Sequence, residues 1–473
     1  MPIIMLVAWE LWKERNSRIF SENRMEETGA AEASVMESPP SPTTAMANSG
    51  SCVVDMDRMI SHDNSSELSS GEKSMVRRHS IYRVPAYIKN MTNPNAYRPQ
   101  MVSLGPFHYG EPPLKPMEAH KQRAVAHMVS RSGKPRQEFT AAVEKIAEEL
   151  RGAYENLGEE WSGEQFVEVM VTDGCFLLEV MRTFQNYGEI EGYAPDDPVF
   201  SKHGSLYLSD CIISDMLVIE NQLPFQLLQK LISVADPDNF QDDGLNNWVL
   251  YFPSSLVTSA TPVNDHLGLH PLDVLHKSVT GTHRHQKKPI TFYFMPCAAE
   301  LHEAGIHFKL SAENGFGGGV TFEGGVVNIP MIFLFSDAER IFLNLMAFER
   351  LHPGAGNDVT AFVFFMDLLI DTTKDVALLR SQGIIKNGLG SDEAVVDLIK
   401  KTLTKHAVLS VESSLSSVIK EVNSHYKNPW NKWRVKFRRT YFSNPWLFSP
   451  ALILFVATII QTIYTVLSFY NQR

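Results

Sequence analysis

The chain has 473 residues, 43 of them basic and 54 acidic, for a net charge of −11. A nucleic-acid binder carries a basic footprint, so this balance argues against nucleic acid as a partner. The length allows two or three domains, and a hydrophobic content of 44% is that of an ordinary globular protein.

Pro2 to Ala8 is apolar, but no Lys or Arg precedes it and Glu10, Lys13, Glu14 and Arg15 follow at once, which is not a signal-peptide pattern. Ala8 to Phe20 reads as a short amphipathic helix with Trp9, Trp12 and Ile19 on one side. It resembles a segment near the end of plant retrotransposon reverse transcriptases, W-x-x-W-x-x-R-N-x-R-x-F. For residues 1–24 a transposon-derived exon and a mis-joined gene model both stay open, and no polymerase activity is carried over. Residues 25–78 are rich in Ser, Glu, Pro, Thr and Ala and predict a disordered linker.

Residues 79–440 read as a dense globular domain. Pro85, Pro94, Pro99, Gly105 and Pro106 predict an extended, turning course from Ile81 to Gly110. Helices are predicted at Met117 to Val129 and Phe139 to Leu157. Ser162 and Gln165 fit a capping box that opens a further helix. This helix is apolar on most sides, with Val167, Met170, Leu177 and Met181 at helical spacing, and should be buried. Leu206 to Ile232 has the same character, interrupted at Pro224. Residues 233–288 are mixed and loop-rich.

Ile290 to Phe335 is the strand-like region, with short β-branched and aromatic runs between glycine turns. Helices return at Ala338 to Glu349, Ala361 to Leu369 and Asp392 to Leu403. The fold class is therefore mainly α with a smaller β region, an α+β arrangement.

Four acidic side chains fall on apolar helical faces: Asp173, Asp215, Glu220 and Asp367. A buried carboxylate costs several kcal/mol unless it is paired or protonated. The functional reading is a perturbed acid/base pair, with Asp173 and Glu220 the first suspects. The structural reading is a set of internal ion pairs, with Arg83, Arg98, Lys121, Arg123 and Arg182 as partners, and it is the stronger. Pro224 cannot donate to the Glu220 carbonyl, so Asn221 and Gln222 should satisfy the freed backbone groups of a fixed corner.

No metal or cofactor site is assigned. None of Cys52, Cys175, Cys211 and Cys297 falls in a C-x-x-C pair, and Cys175 and Cys211 read as small buried residues. His302 and His307 are five apart, about 100° out of register on a helix for H-E-x-x-H. Gly315 to Gly319 lacks the final glycine of a dinucleotide fingerprint. No catalytic residue is assigned either.

The clearest signal lies at the end of the chain. Trp446 to Tyr470 contains no Asp, Glu, Lys, Arg or His, and about 20 apolar residues suffice to cross a bilayer. Residues 446–470 thus read as one C-terminal transmembrane helix. Lys427, Lys432, Arg434, Lys436, Arg438 and Arg439 precede it and only Arg473 follows. That asymmetry puts the bulk of the chain on the cytoplasmic side. The basic flank suits anionic lipid headgroups. Asn64 and Asn90 begin glycosylation sequons that can test this topology.

The dense region carries an ordered series of motifs. These include Asn95-Ala96-Tyr97-Arg98-Pro99, Leu104-Gly105-Pro106-Phe107-His108-Tyr109-Gly110, Asp173-Gly174-Cys175-Phe176-Leu177-Leu178-Glu179, Ile219-Glu220-Asn221-Gln222-Leu223-Pro224-Phe225 and His270-Pro271-Leu272-Asp273-Val274-Leu275-His276. From Ile81 to Tyr470 the chain resembles the plant family called domain of unknown function 247, also known as UPF0481-type membrane proteins. It departs at His108-Tyr109, where His-His is usual, and at Leu343-Asn344-Leu345, where Arg-Asn-Leu is usual. The resemblance implies a plant membrane protein of unresolved biochemistry, at the plasma membrane or an endomembrane. Some grass members are linked to self-incompatibility, which implies recognition. The leading expectation is a membrane-anchored, non-catalytic interaction protein; the alternative is a hydrolase or transferase that uses buried carboxylates.

Overall fold

Helices dominate from residue 79 onward. The structure is a computed structural model that describes residues 79–185, 192–236, 243–251, 267–281, 288–289, 294–313, 315–316, 318–404, 412–413, 415–428 and 445–471. The short N-terminal helix and linker expected over 1–78, residues 290–293 of the first strand-like run and the basic flank from Lys432 to Arg439 lie outside the described residues.

The Pro-punctuated segment is less extended than its prolines imply. It contains α1 (Ala86–Met91) and a 3-10 turn, Pro94–Tyr97, in which the Asn93 side chain accepts the Asn95 N–H. Pro85 sits just before the helix and Pro94 opens the turn, where a missing N–H costs nothing. A second 3-10 turn, Pro112–Met117, feeds α2 (Glu118–Ser132), which stops at Gly133 in the left-handed conformation, φ 66°. The helix expected over Phe139 to Leu157 is two pieces, α3 (Arg136–Glu144) and α4 (Ala147–Arg151), broken at Ile146, where ψ opens to 9°.

The buried helix, α5 (Glu164–Gln185), begins one residue later than a Ser162 cap requires; Ser162 instead closes the 3-10 turn Glu159–Trp161. As expected it is buried almost throughout. A Cβ on Gly174 would lie 2.4 Å from a Leu231 methyl, so the glycine lets α5 approach the helix that carries Leu231.

The stretch expected over Leu206 to Ile232 divides into α6 (Lys202–Met216) and α7 (Phe225–Ala235). The break comes eight residues before Pro224, which instead caps α7 in an extended conformation. Leu217, Val218 and Ile219 between the helices are non-helical yet at most 1% exposed. The loop-rich region holds α8 (Asp243–Tyr251) and α9 (Pro271–Thr280). His270 caps α9 by accepting the Asp273 N–H at 3.2 Å.

The strand-like region forms small sheets around α10 (Ala298–Glu303). β1 (Lys288–Pro289) pairs antiparallel with the last strand, β7 (Glu412–Ser413). β2 (His307–Leu310), β3 (Thr321–Glu323) and β4 (Val326–Ile329) make a three-stranded sheet in the order β2-β4-β3. β2 and β4 are parallel, in register His307 with Val326, while β3 and β4 form a hairpin. β5 (Ile332–Leu334) runs parallel to β6 (Ile385–Asn387).

The remaining helices among the described residues are α11 (Ala338–Leu351), α12 (Asp358–Leu369), α13 (Thr373–Ser381), α14 (Asp392–Asp397), α15 (Ser416–Lys427) and α16 (Pro445–Asn471). α14 continues as a π-turn, Leu398–Leu403. The α+β expectation holds for the described residues. α13, which opens with a full Thr372–Asp375 capping box, and α15 were not expected.

Among the described residues the buried apolar side chains gather into two clusters. One joins α2, α3, α5 and α7 through Met128, Phe139, Phe166, Phe176, Phe225 and Leu228. The other joins α11, α12, the π-turn and the strands through Phe316, Phe342, Phe348, Phe362 and Ile329. The segments 79–108 and 215–224 contribute apolar side chains to both clusters.

Candidate functional site

Asp173, Asp215 and Glu220 converge on Val84, just before α1, and on the irregular run of residues 100–105. A buried segment without helix or sheet partners needs other acceptors for its N–H groups. Asp215 supplies three, taking the N–H groups of Gln100, Met101 and Val102 at 2.8, 2.7 and 2.9 Å. Asp173 takes that of Gly105 at 2.8 Å, and Glu220 takes that of Val84 at 2.6 Å. Gly105 has φ +74°, and a Cβ there would lie 2.8 Å from the Tyr154 hydroxyl, so glycine is required where the backbone turns onto Asp173.

Asn221 and Gln222 do what the corner needs. The Asn221 side chain donates to the carbonyls of Val102 and Asp215, both at 3.0 Å, and accepts from Leu104 N–H at 2.7 Å. Gln222 donates to the carbonyls of Met216 and Val218 at 2.6 and 2.7 Å and accepts from Leu272 N–H at 3.0 Å. These contacts satisfy carbonyls at the end of α6 and fix the turn toward α9.

The carboxylates are matched by cations, mostly not those expected. Lys121, fully buried, reaches Asp173 and Glu118, each at 2.7 Å, and the Ser103 hydroxyl at 3.0 Å. Burial works against the Lys121 charge, but the two carboxylates outweigh it and raise its pKa. Burial dominates at Asp173 and pushes its carboxyl up to about 6 against the pull of Lys121.

Asp215 pairs with Arg340 of α11 at 2.8 Å, and Arg340 also donates to Ser214 and to the Arg98 carbonyl. Glu220 pairs with Lys89 at 2.7 Å and lies 3.4 Å from His108 Nε2, whose Nδ1 meets Glu111 at 2.8 Å. Burial opposes the Glu220 charge, but His108, Lys89 and the Val84 N–H together hold its pKa below the usual carboxylate value.

The other expected partners are used elsewhere. Arg98 pairs with Glu111, Arg123 with Asp197 and Arg182 with Glu179, while the Arg83 guanidinium lies 4.4 Å over the Phe107 ring. Of the five, only Lys121 meets one of the four carboxylates. Asp367 stands apart from the other three, partly exposed, beside Lys400 at 3.4 Å and the Thr404 hydroxyl at 3.1 Å.

Asn344 escaped the sequence reading. From the middle of α11 it accepts Ile219 N–H at 3.0 Å and donates to the Ala96 carbonyl at 2.8 Å. Its signal was an amide inside the apolar run Leu343-Asn344-Leu345.

Asp173 and Glu220 share no partner, and neither lines a described cleft. One cleft, about 540 Å³, lies at the start of α13 and α14 between Lys374, Arg380, Asn387 and Asp392. Another, about 400 Å³, lies between Phe294, Glu300, Lys420 and Lys427. Cys175 is buried as expected, but Cys211 is exposed, because α6 turns that side to solvent. The turn at Ala304 and Gly305 brings His302 and His307 edge to face, with ring centroids 5.6 Å apart. His283 and His285 lie outside the described residues.

Residues 81–460 match the family model described as plant protein of unknown function, domain of unknown function 247. The chain belongs to this family. It is 30% identical over 431 residues to the UPF0481 protein At3g47200 of Arabidopsis thaliana, covering 83% of this chain and 87% of that protein. It is 23% identical over 499 residues to the putative UPF0481 protein At3g02645 of the same plant, covering 82% and 90%. No solved structure matches the chain. The matched span takes in the whole carboxylate network and most of α16. Within it, the motifs Asn95 to Pro99, Leu104 to Gly110, Asp173 to Glu179 and Ile219 to Phe225 are the segments this network holds together.

Proposed function

We propose that this family member is a membrane-anchored interaction protein whose buried carboxylates shape its surface and perform no chemistry. The observation that carries the proposal is how the acceptor capacity of Asp173, Asp215 and Glu220 is used. Their oxygens face backbone N–H groups, the buried cations Lys121 and Arg340 and the half-buried Lys89, and none of the three lines either of the two described clefts. A general base must instead reach a substrate proton at hydrogen-bond distance.

The anchor reading rests on α16. At 27 residues and 1.5 Å per residue the helix is about 40 Å long, against a hydrocarbon thickness of about 30 Å. Ile453, Leu454, Phe455 and Ile460 along it are each more than 60% exposed. Such a patch needs a cover. Among the described residues no helix is long and apolar enough to cross a membrane. The side chains of α16 are described over 453–468, and the span reading therefore also uses the sequence on either side, which is equally free of charge. The cationic asymmetry supports a cytoplasmic bulk domain, with anionic lipid as the proposed partner of the basic flank.

Asn90 lies exposed on α1 and offers a test. Tagged at both ends and expressed in plant cells, the chain should resist alkaline extraction, be digested by protease outside sealed vesicles, and carry no glycan at Asn90. A glycan there would reverse the topology, and release by carbonate would remove the anchor. The enzyme alternative requires a turnover that Asp173→Asn abolishes in a protein that still folds.

A further inference from the structure

We propose that Gln461 joins two copies of this chain within the membrane, through reciprocal amide hydrogen bonds on one seam of α16. The inference rests on the anchor reading above. Thr458, Thr465 and Ser468 donate their hydroxyls to carbonyls of their own helix, at 2.7, 2.7 and 3.0 Å. Their polarity is met internally, so they present small surfaces. The Gln461 carboxamide makes no hydrogen bond among the described residues. It lies three residues from the midpoint of 446–470, about 4.5 Å along the axis, and its side chain is too short to reach either headgroup zone. Its two donors and its carbonyl stand in hydrocarbon, where unmet polar groups are costly.

The neighbours of Gln461 show which side is covered. Leu454, Thr458, Gln461, Thr465 and Ser468 are spaced four, three, four and three residues apart. That is the 3.5-residue repeat of a left-handed helix pair. Away from this seam stand Ile453, Phe455, Ile459, Ile460 and Ile463, bulky side chains suited to lipid. The occupant is a second copy because a carboxamide is both donor and acceptor, and every copy carries it at the same depth. A parallel two-fold pair brings each amide opposite its equivalent and satisfies both.

The test uses the full chain, tagged with donor or acceptor fluorophores and reconstituted in phosphatidylcholine vesicles at decreasing protein-to-lipid ratios. Energy transfer should persist on dilution for the wild type. Gln461→Leu should weaken association by roughly three- to thirtyfold. Gln461→Asn should retain most of it, and Thr462→Ala, off the seam, should leave it unchanged. Equal transfer in wild type and Gln461→Leu overturns the proposal, as does a wild type that is monomeric throughout. A carbonate wash separates the two readings. A chain that washes off refutes the anchor itself, whereas a retained monomer refutes only the pairing.

Discussion

Asp215→Asn tests whether a buried carboxylate organises the irregular segment beneath it. The substitution keeps the shape, but turns an NH2 toward backbone donors and leaves Arg340, 8% exposed, without its counter-charge. Breaking a buried pair from one side costs about 3–5 kcal/mol. Unfolding entropy of about 2.1 cal/mol/K per residue, over the roughly 350 residues of 79–428, is about 0.7 kcal/mol per degree. The melting temperature should therefore fall by roughly 4–7 °C, read by near-ultraviolet circular dichroism on the detergent-solubilised chain. Adding Arg340→Met should recover part of the loss, the share due to the stranded cation, but not the share due to the N–H groups of Gln100, Met101 and Val102. A shift below about 1 °C for Asp215→Asn would refute the reasoning, because it would mean these donors find other acceptors at no cost.

Asp173 makes the pH profile distinctive. Its folded pKa of about 6 lies above the ordinary 3.8, so between these values the folded chain holds a proton the unfolded chain has released. Stability from this group falls as pH rises from about 4 to 6. The difference in urea midpoint between wild type and Asp173→Asn should change across that window and be flat above pH 7; a flat difference throughout would contradict the burial argument. His270 works in the opposite sense. Burial lowers its pKa from 6.5 to about 4, so its contribution to stability declines as pH falls from 6.5 toward 4. Its Nδ1 accepts from Asp273 N–H, which leaves Nε2–H to donate to the Ser80 carbonyl at 2.9 Å. Nitrogen-detected spectra should show that neutral tautomer still present at pH 5.5, and a charged ring there would contradict the assignment. Phe316, 1% exposed and stacked 4.1 Å from Phe362, should cost about 3–5 kcal/mol when changed to Ala. A loss under about 1 kcal/mol in the same melt would mean that this part of the core is not packed as described.

How much of this was legible beforehand depended on distance along the chain. α5 and α11 were readable because apolar spacing alone specifies a buried helix. Asn221 and Gln222 were readable as corner residues from Pro224, but the carbonyls they meet are those of Val102, Asp215, Met216 and Val218, not that of Glu220. The partner list for the carboxylates failed on long-range pairs. Asp215 and Arg340 are 125 positions apart, and no local pattern distinguishes Arg340 from the arginines that pair elsewhere. The end of α6 at Met216 was also invisible, since Leu217, Val218 and Ile219 are as apolar as a helix interior and differ only in where their carbonyls find donors.

By itself, the sequence determined the family, the α+β character and the uncharged stretch that became α16, because composition, motif order and period are properties of neighbouring residues. Tertiary structure decided what the acidic residues are for. The same carboxylates could serve a catalytic pocket or a scaffold, and the choice depends on which donors stand opposite them. Here those donors are the backbone of Val84 and of residues 100–105, Lys121, Lys89 and Arg340, brought together by a packing that no local stretch encodes.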